Sequence, residues 1–135
     1  MSEFLASPGD AVDGVAILLW ATDPDRPDTL ATPFFHAAAA AALELPVEMY
    51  FSARSVHLLL PGVAEALQAS RFVARSMAET MRHAHEHGVR FYVCSDALQA
   101  QGLQGRTLIP ECAGHGGALQ FMVRAADRRW RALVF

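Results

Sequence analysis

Two cysteines, one of them at the end of an apolar run, are the residues of this sequence best suited to chemistry. Cys94 follows Val89-Arg90-Phe91-Tyr92-Val93, which reads as a strand, and precedes Ser95-Asp96, a good helix start for Ala97–Gln101. At a helix N-terminus the unpaired backbone N–H groups and the helix dipole favour negative charge, and the thiolate is the form of cysteine that attacks. The competing reading is a small buried residue closing a strand, since cysteine is among the most buried residue types. Asp96 opposes a thiolate two residues away unless its carboxylate is taken up by backbone amides. Cys112 lies 18 positions later. It could resolve an oxidised Cys94, or sit passively under a loop. The pair is not the adjacent two-cysteine motif of disulfide exchange.

His115 stands in Gly114-His115-Gly116-Gly117, ahead of a predicted helix. A histidine close to a cysteine can act as its base or stabilise the thiolate; without that contact it is a loop residue. Ser95 would help to form the helix start. Arg54 could bring a fixed positive charge to the same region, or simply be solvated. His83, His85 and His87 form a second cluster. On a helix His83 and His87 share a face, as a zinc-binding pair would, but no third ligand follows at a recognised spacing. The better reading is a polar helix end that complements the dipole. No metal and no cofactor are therefore expected.

Composition removes several classes of function. There is no lysine, hence no Schiff-base anchor and no phosphate-cradling P-loop lysine. Thr22-Asp23-Pro24 stands where a dinucleotide-binding fold would need its glycines. The net charge of −3 argues against nucleic acid as a partner. Charge is unevenly divided: residues 1–50 hold eight acids against Arg26 alone, and the remainder holds ten arginines against six acids. Such polarity could guide self-association, or reflect a solvated surface. Two cysteines are too few for a disulfide scaffold, and no apolar stretch approaches a membrane span, so a cytoplasmic protein without membrane contact is expected.

The elements that must position these residues follow from periodicity and turn chemistry. With 135 residues, 53% of them hydrophobic, the chain suits one domain with a real core. Residues 1–14 read as a flexible leader and 15–135 as the domain. Val15–Trp20, Val47–Phe51 and Val89–Val93 are apolar runs bounded by turn residues, predicted to be neighbouring interior strands. A short fourth strand is expected within Leu108–Ala113 and a last one over Trp130–Phe135. Helices are predicted over Phe34–Leu43, most of Val63–His87, Ala97–Gln101 and Gly116–Ala126. In the second of these, Val73, Met77, Met81 and Ala84 mark one buried face. Thr32-Pro33 suits the first helix's start, with Asp28 as an alternative that leaves Pro33 in an early turn. The alternation implies a three-layer α/β/α domain with a mainly parallel, roughly five-stranded sheet, flavodoxin-like in outline. Ligands collect beyond the carboxyl ends of such strands. That rule selects Thr22 and Asp23, Ser52–Ser55, Cys94–Asp96 and Cys112–His115.

The order of these pieces resembles the DsrE/DsrF-like family of small sulfur-relay proteins. The resemblance is carried by Val15–Trp20 with Asp23 after it, by Ala37–Leu43 followed by Val47–Phe51, by Val56–Leu60 with Pro61-Gly62-Val63, by Gly88–Ser95, and by Trp130–Phe135. In family members that carry sulfur, a cysteine ends the strand occupied here by Val89–Val93, and Cys94 matches that position. The resemblance implies a persulfide carrier, loaded on Cys94 by a protein donor and unloaded by an acceptor thiol. It also implies a homo-oligomer, commonly trimeric or hexameric, or assembly with sister subunits. Two other readings stand beside it: a non-enzymatic oligomeric binding or assembly module in which Cys94 is structural, and a thiol redox sensor using Cys94 and Cys112.

Overall fold

A computed structural model describes residues 11–135. Five strands form an all-parallel sheet: β1 (Gly14–Leu19), β2 (Val47–Phe51), β5 (Arg90–Val93), β6 (Cys112–His115) and β7 (Trp130–Val134), in the order β6-β5-β2-β1-β7. The three runs expected inside the sheet are its three interior strands. Both faces of β2 are covered, and all five of its residues are buried.

The two faces are covered unequally. Crossovers between parallel strands are almost always right-handed. A chain stepping from β1 to β2, β5 and β6 in one direction therefore carries its connecting helices on one side. These are α1 (Ala31–Ala42), α2 (Met77–Glu86) and α3 (Ser95–Ala100). They enclose the main core, in which Phe34 packs on Phe51 and Phe91 at centroid distances of 6.0 Å. To reach β7 the chain must return past β1 to the opposite edge. Its helix α4 (Ala118–Ala125) falls on the other face, where Phe121 meets Ala16 and Tyr50. In the flavodoxin order the first strand lies between the second and third; here β1 lies between β2 and β7.

Glu48 is the one acidic residue buried in the sheet, 6% exposed on the α4 face. Arg124 of α4 holds it through two bonds, Nε to Oε1 at 2.9 Å and Nη2 to Oε2 at 3.1 Å. The Tyr50 hydroxyl donates to Glu48 Oε1 at 2.7 Å and accepts from Gln120 Nε2 at 3.1 Å. Burial pushes the Glu48 carboxyl up in pKa, but the Arg124 and Tyr50 bonds outweigh it and leave the group below its ordinary value. The Arg124 guanidinium also lies 4.1 Å from the Trp130 ring centroid.

Several expectations are corrected. The segment predicted as one helix over Val63–His87 divides into a short 3-10 turn (Ala64–Ala66), an antiparallel hairpin of β3 (Gln68–Ser70) and β4 (Val73–Ser76), and α2. The cause is a capping box: Ser76 Oγ accepts from the Glu79 N–H at 3.1 Å, and the Ser76 N–H donates to Glu79 Oε2 at 3.2 Å. Met77, Met81 and Ala84 are buried as predicted, whereas Val73 is an exposed hairpin residue. The fourth strand lies later than Leu108–Ala113, because Pro110 cannot donate to a ladder and Ile109 spends its N–H on Leu59 O. The last helix begins at Ala118 rather than Gly116. Pro33 is the third residue of α1, within its first turn. The segment after β2 carries a 3-10 helix over Ala53–Leu59, with Leu60 as its C-cap. Of the expected leader, residues 1–10 lie outside the described residues; Asp13 is tied to Arg129 through both carboxylate oxygens, and Gly14 opens β1.

Arg124→Met leaves a buried carboxylate without its counter-ion and is expected to cost about 3 kcal/mol, read as a lowered urea midpoint. Because folding depresses the Glu48 pKa, its contribution is complete above the ordinary glutamate value of about 4.3 and is lost as pH falls through the lower folded value. Glu48→Gln should remove that part of the acid loss. A urea-midpoint profile against pH that is identical in both proteins would contradict the assignment.

Candidate functional site

All five parallel strands end at one rim, where Leu19, Phe51, Val93, His115 and Val134 are the terminal residues. Cys94 follows Val93 there. Its backbone N–H donates to Phe51 O at 3.0 Å, and its carbonyl accepts from Leu98 N–H at 3.1 Å, so Cys94 is the residue that caps α3. The side chain is half-buried against the main core. A β-carbon placed on Gly117 would stand 3.6 Å from Cys94 Sγ. The thiol thus lies against the residue that opens α4, as well as at the start of α3.

The approach of α4 depends on Gly116, the residue just before its cap. At Gly116 a β-carbon would meet the Tyr92 Cβ at 3.0 Å and the Gln120 amide at 3.1 Å, and the Gly116 N–H donates to Val93 O at 2.9 Å. Larger residues would hold the helix away from the end of β5. This packing role was not read from the sequence, although a Gly-Gly pair directly before an amphipathic helix is a signal of close backbone approach.

Ser95 and His115 come together. Ser95 Oγ is 2.8 Å from His115 Nδ1, and both side chains are exposed. Either the hydroxyl donates to a bare Nδ1, or a protonated Nδ1 donates to the hydroxyl. The parallel register brings this about: Val93 is paired with His115, so the residues just beyond β5 and the last residue of β6 share one corner. Asp96 is exposed in the first turn of α3.

Cys112 is placed elsewhere. It opens β6 opposite Phe91, three residues before Cys94 along β5, or roughly 10 Å at a rise of about 3.3 Å per residue. A disulfide needs Cα atoms within about 7 Å, so direct pairing of the two would require backbone movement. Both cysteines are free thiols, and Cys112 Sγ donates to Gly114 O at 3.6 Å. Burial pushes the Cys112 thiol above its ordinary pKa.

Arg54 is at the rim but already engaged, donating to Asp23 Oδ1 at 3.0 Å and to Asp25 Oδ2 at 2.6 Å. Asp23 is held below the usual carboxylate range by the Asp25 backbone N–H and then by Arg54. The pair ties the loop after β1 to the loop after β2. His83, His85 and His87 lie at the C-terminal turn of α2, at the opposite end of the sheet from Cys94. Among the described residues, no three His, Cys, Asp or Glu side chains converge on a cation position. No described helix is long and apolar enough to cross a membrane. A cleft between Pro27–Thr32 and Ala66–Phe72, beside the hairpin, does not include Cys94.

A parallel sheet of this order defines a class of small α/β proteins, and the comparisons place the chain within it. The model of the DsrE/DsrF-like family matches residues 15–135, and the chain belongs to that family. The YchN protein from E. coli is similar in structure, with a TM-score of 0.71 at 14% identity over 92% of this chain and 100% of that one. A protein of unknown function from Methanobacterium thermoautotrophicum, MTH1491, is similar with a TM-score of 0.61 at 20% identity, over 90% of this chain and 97% of that one. At these identities the likeness is one of fold. No curated protein matches the sequence significantly.

The different placements of the two thiols can be read by alkylation. In Cys94→Ser protein, the remaining Cys112 should react with iodoacetamide more slowly at neutral pH than Cys94 does in Cys112→Ser protein. The Cys112 rate should climb only above the ordinary cysteine range near pH 8.5, since its raised pKa delays thiolate formation. Equal rates at neutral pH would contradict the contrast drawn between rim and interior.

Proposed function

We propose that the protein is a sulfur carrier that holds a persulfide on Cys94. The observation that carries this reading is the position of the Cys94 thiol: half-buried at the end of β5, against the opening residue of α4, with the Ser95–His115 pair at the same corner. Family membership is compatible with it. In the transfer, the Cys94 thiolate attacks the outer sulfur of a donor persulfide, R–S–SH. The S–S bond of the donor breaks, a Cys94 persulfide forms, and the donor leaves as a thiolate R–S⁻. No net oxidation occurs. The departing thiolate needs a proton, which a protonated His115 can supply, with Ser95 holding the ring in place. An acceptor thiolate then attacks the outer sulfur and restores Cys94. Donor and acceptor are proteins presenting thiols to the rim.

The carrier acts as a homo-oligomer in this proposal. Leu119, Met122 and Val123 form an exposed apolar stripe on α4, and Trp20 and Val134 lie exposed at the same end of the sheet. Monomers seldom leave so much apolar surface in one region. A second copy there would shelter a persulfide from water and stray thiols.

Intact mass after incubation with inorganic polysulfide tests the chemistry. The protein should gain about 32 Da, one sulfur atom, on Cys94. Cys94→Ser should abolish the adduct, Cys112→Ser should retain it, and His115→Ala should slow loading by about tenfold or more. Loading that survives Cys94→Ser would overturn the reading. Light scattering at micromolar concentration should give a mass well above the 14.6 kDa of one chain; a monomer would remove the shelter.

A further inference from the structure

The last turn of α2 carries histidines that the carrier reading leaves unused. His83 and His87 are both exposed, one turn apart, with ring centroids separated by 4.4 Å. His85 faces another way, toward Phe91 at 5.9 Å. The chemistry of the pair is decided by a bond to the backbone. His87 Nδ1 lies 2.8 Å from the His83 carbonyl oxygen. A carbonyl only accepts, so Nδ1 carries the proton, and in the neutral ring the lone pair is on Nε2. Histidine ligands of metals are oriented in this way, one nitrogen donating to a carbonyl while the other faces the ion.

We propose that His83 and His87 form a two-point binding site for a divalent transition cation of the Cu²⁺, Ni²⁺ or Zn²⁺ class, with water completing the coordination. Imidazole nitrogens stand about 2.0–2.1 Å from such an ion. Two nitrogens sharing it lie roughly 3–4 Å apart, a spacing that rings 4.4 Å apart reach by a turn of the His83 side chain. The site also lies at the C-terminal end of α2, where the helix dipole favours positive charge. Two imidazoles without a thiolate or carboxylate suit Cu²⁺ over Ni²⁺ and Zn²⁺. The spacing alone predicts a polar helix end; the Nδ1 bond is what turns the pair into a prepared chelate.

Calorimetric titration with CuCl₂ or ZnCl₂ tests this. Protein carrying Cys94→Ser and Cys112→Ser is used, so that thiols do not compete and the outcome is independent of the sulfur-carrier reading. One equivalent should bind, Cu²⁺ more tightly than Zn²⁺. His83→Ala and His87→Ala should each weaken binding by about tenfold or more, and His85→Ala should leave it unchanged. All three positions are exposed, so the variants keep the fold. Absence of uptake overturns the proposal, as does equal loss in His85→Ala, which would mark an unspecific polar helix end.

Discussion

One buried charge governs how the second face of this sheet is closed. Glu48 sits in the central strand, on the face that only α4 covers. A lone carboxylate there would cost several kcal/mol in desolvation. Arg124 offsets it with a two-pronged grip, and the Tyr50 hydroxyl supplies a third bond. Burial first, and then the Glu48 carboxylate, push the Tyr50 hydroxyl well above its ordinary pKa, so it stays a neutral donor. Because Gln120 reaches Tyr50 from the same helix one turn before Arg124, α4 is held at two points and cannot slide. Its opening residue is thereby fixed beside Cys94 Sγ, about one turn further on. The site is built from the interior outward.

The same topology explains what is left uncovered. Three crossovers in one direction give the main core three helices. A single reversal gives the other face one helix of eight residues against a sheet of five strands. Apolar side chains at that face, Val134 on β7 and Trp20 just beyond β1, extend past what α4 can shield, and α4 itself turns Leu119, Met122 and Val123 outward. Extra apolar content that looks in the sequence like a generous core is in part this surface. The 53% hydrophobic composition therefore does not measure how well the single chain is packed.

Legibility followed the physics of each segment. The strands with both faces covered, Val15–Leu19 and Val47–Phe51, are apolar runs, the second broken only by Glu48, and could be read almost to the residue. The rim position of Cys94 followed from them. The hairpin over Gln68–Ser76 was hidden because Met77, Met81 and Ala84 have helical spacing that Val73 happens to extend, while the stop signal was a capping box, Ser76 with Glu79, inside the supposed helix. The meeting of Ser95 with His115 could be suspected from two separate rim segments, but it depends on the β5–β6 register, which includes an irregularity between Phe91 and Tyr92. The depth of Cys112 was obscured for the same reason: moving the fourth strand by a few residues changes which of its residues reach the rim. Glu48 gave no sign of its partner, since a single acid in an apolar run does not say which helix will answer it.

A parallel sheet with its helices has two chemically different ends, and the candidate groups divide between them. Helices that follow parallel strands all begin at the carboxyl rim, where their first N–H groups are unpaired, and finish at the other end, where carbonyls are unpaired. Cys94 stands at the first kind of end, as the N-cap of α3 and beside the start of α4. His83 and His87 stand at the second, on the last turn of α2, where a cation gains. Cys112 belongs to neither: it opens a strand part-way down the sheet, and burial works against its charged form without a helix start to offset it. Two cysteines of the same intrinsic chemistry are thus separated by about three residues of strand, and that separation, more than any neighbouring side chain, makes one of them the candidate carrier.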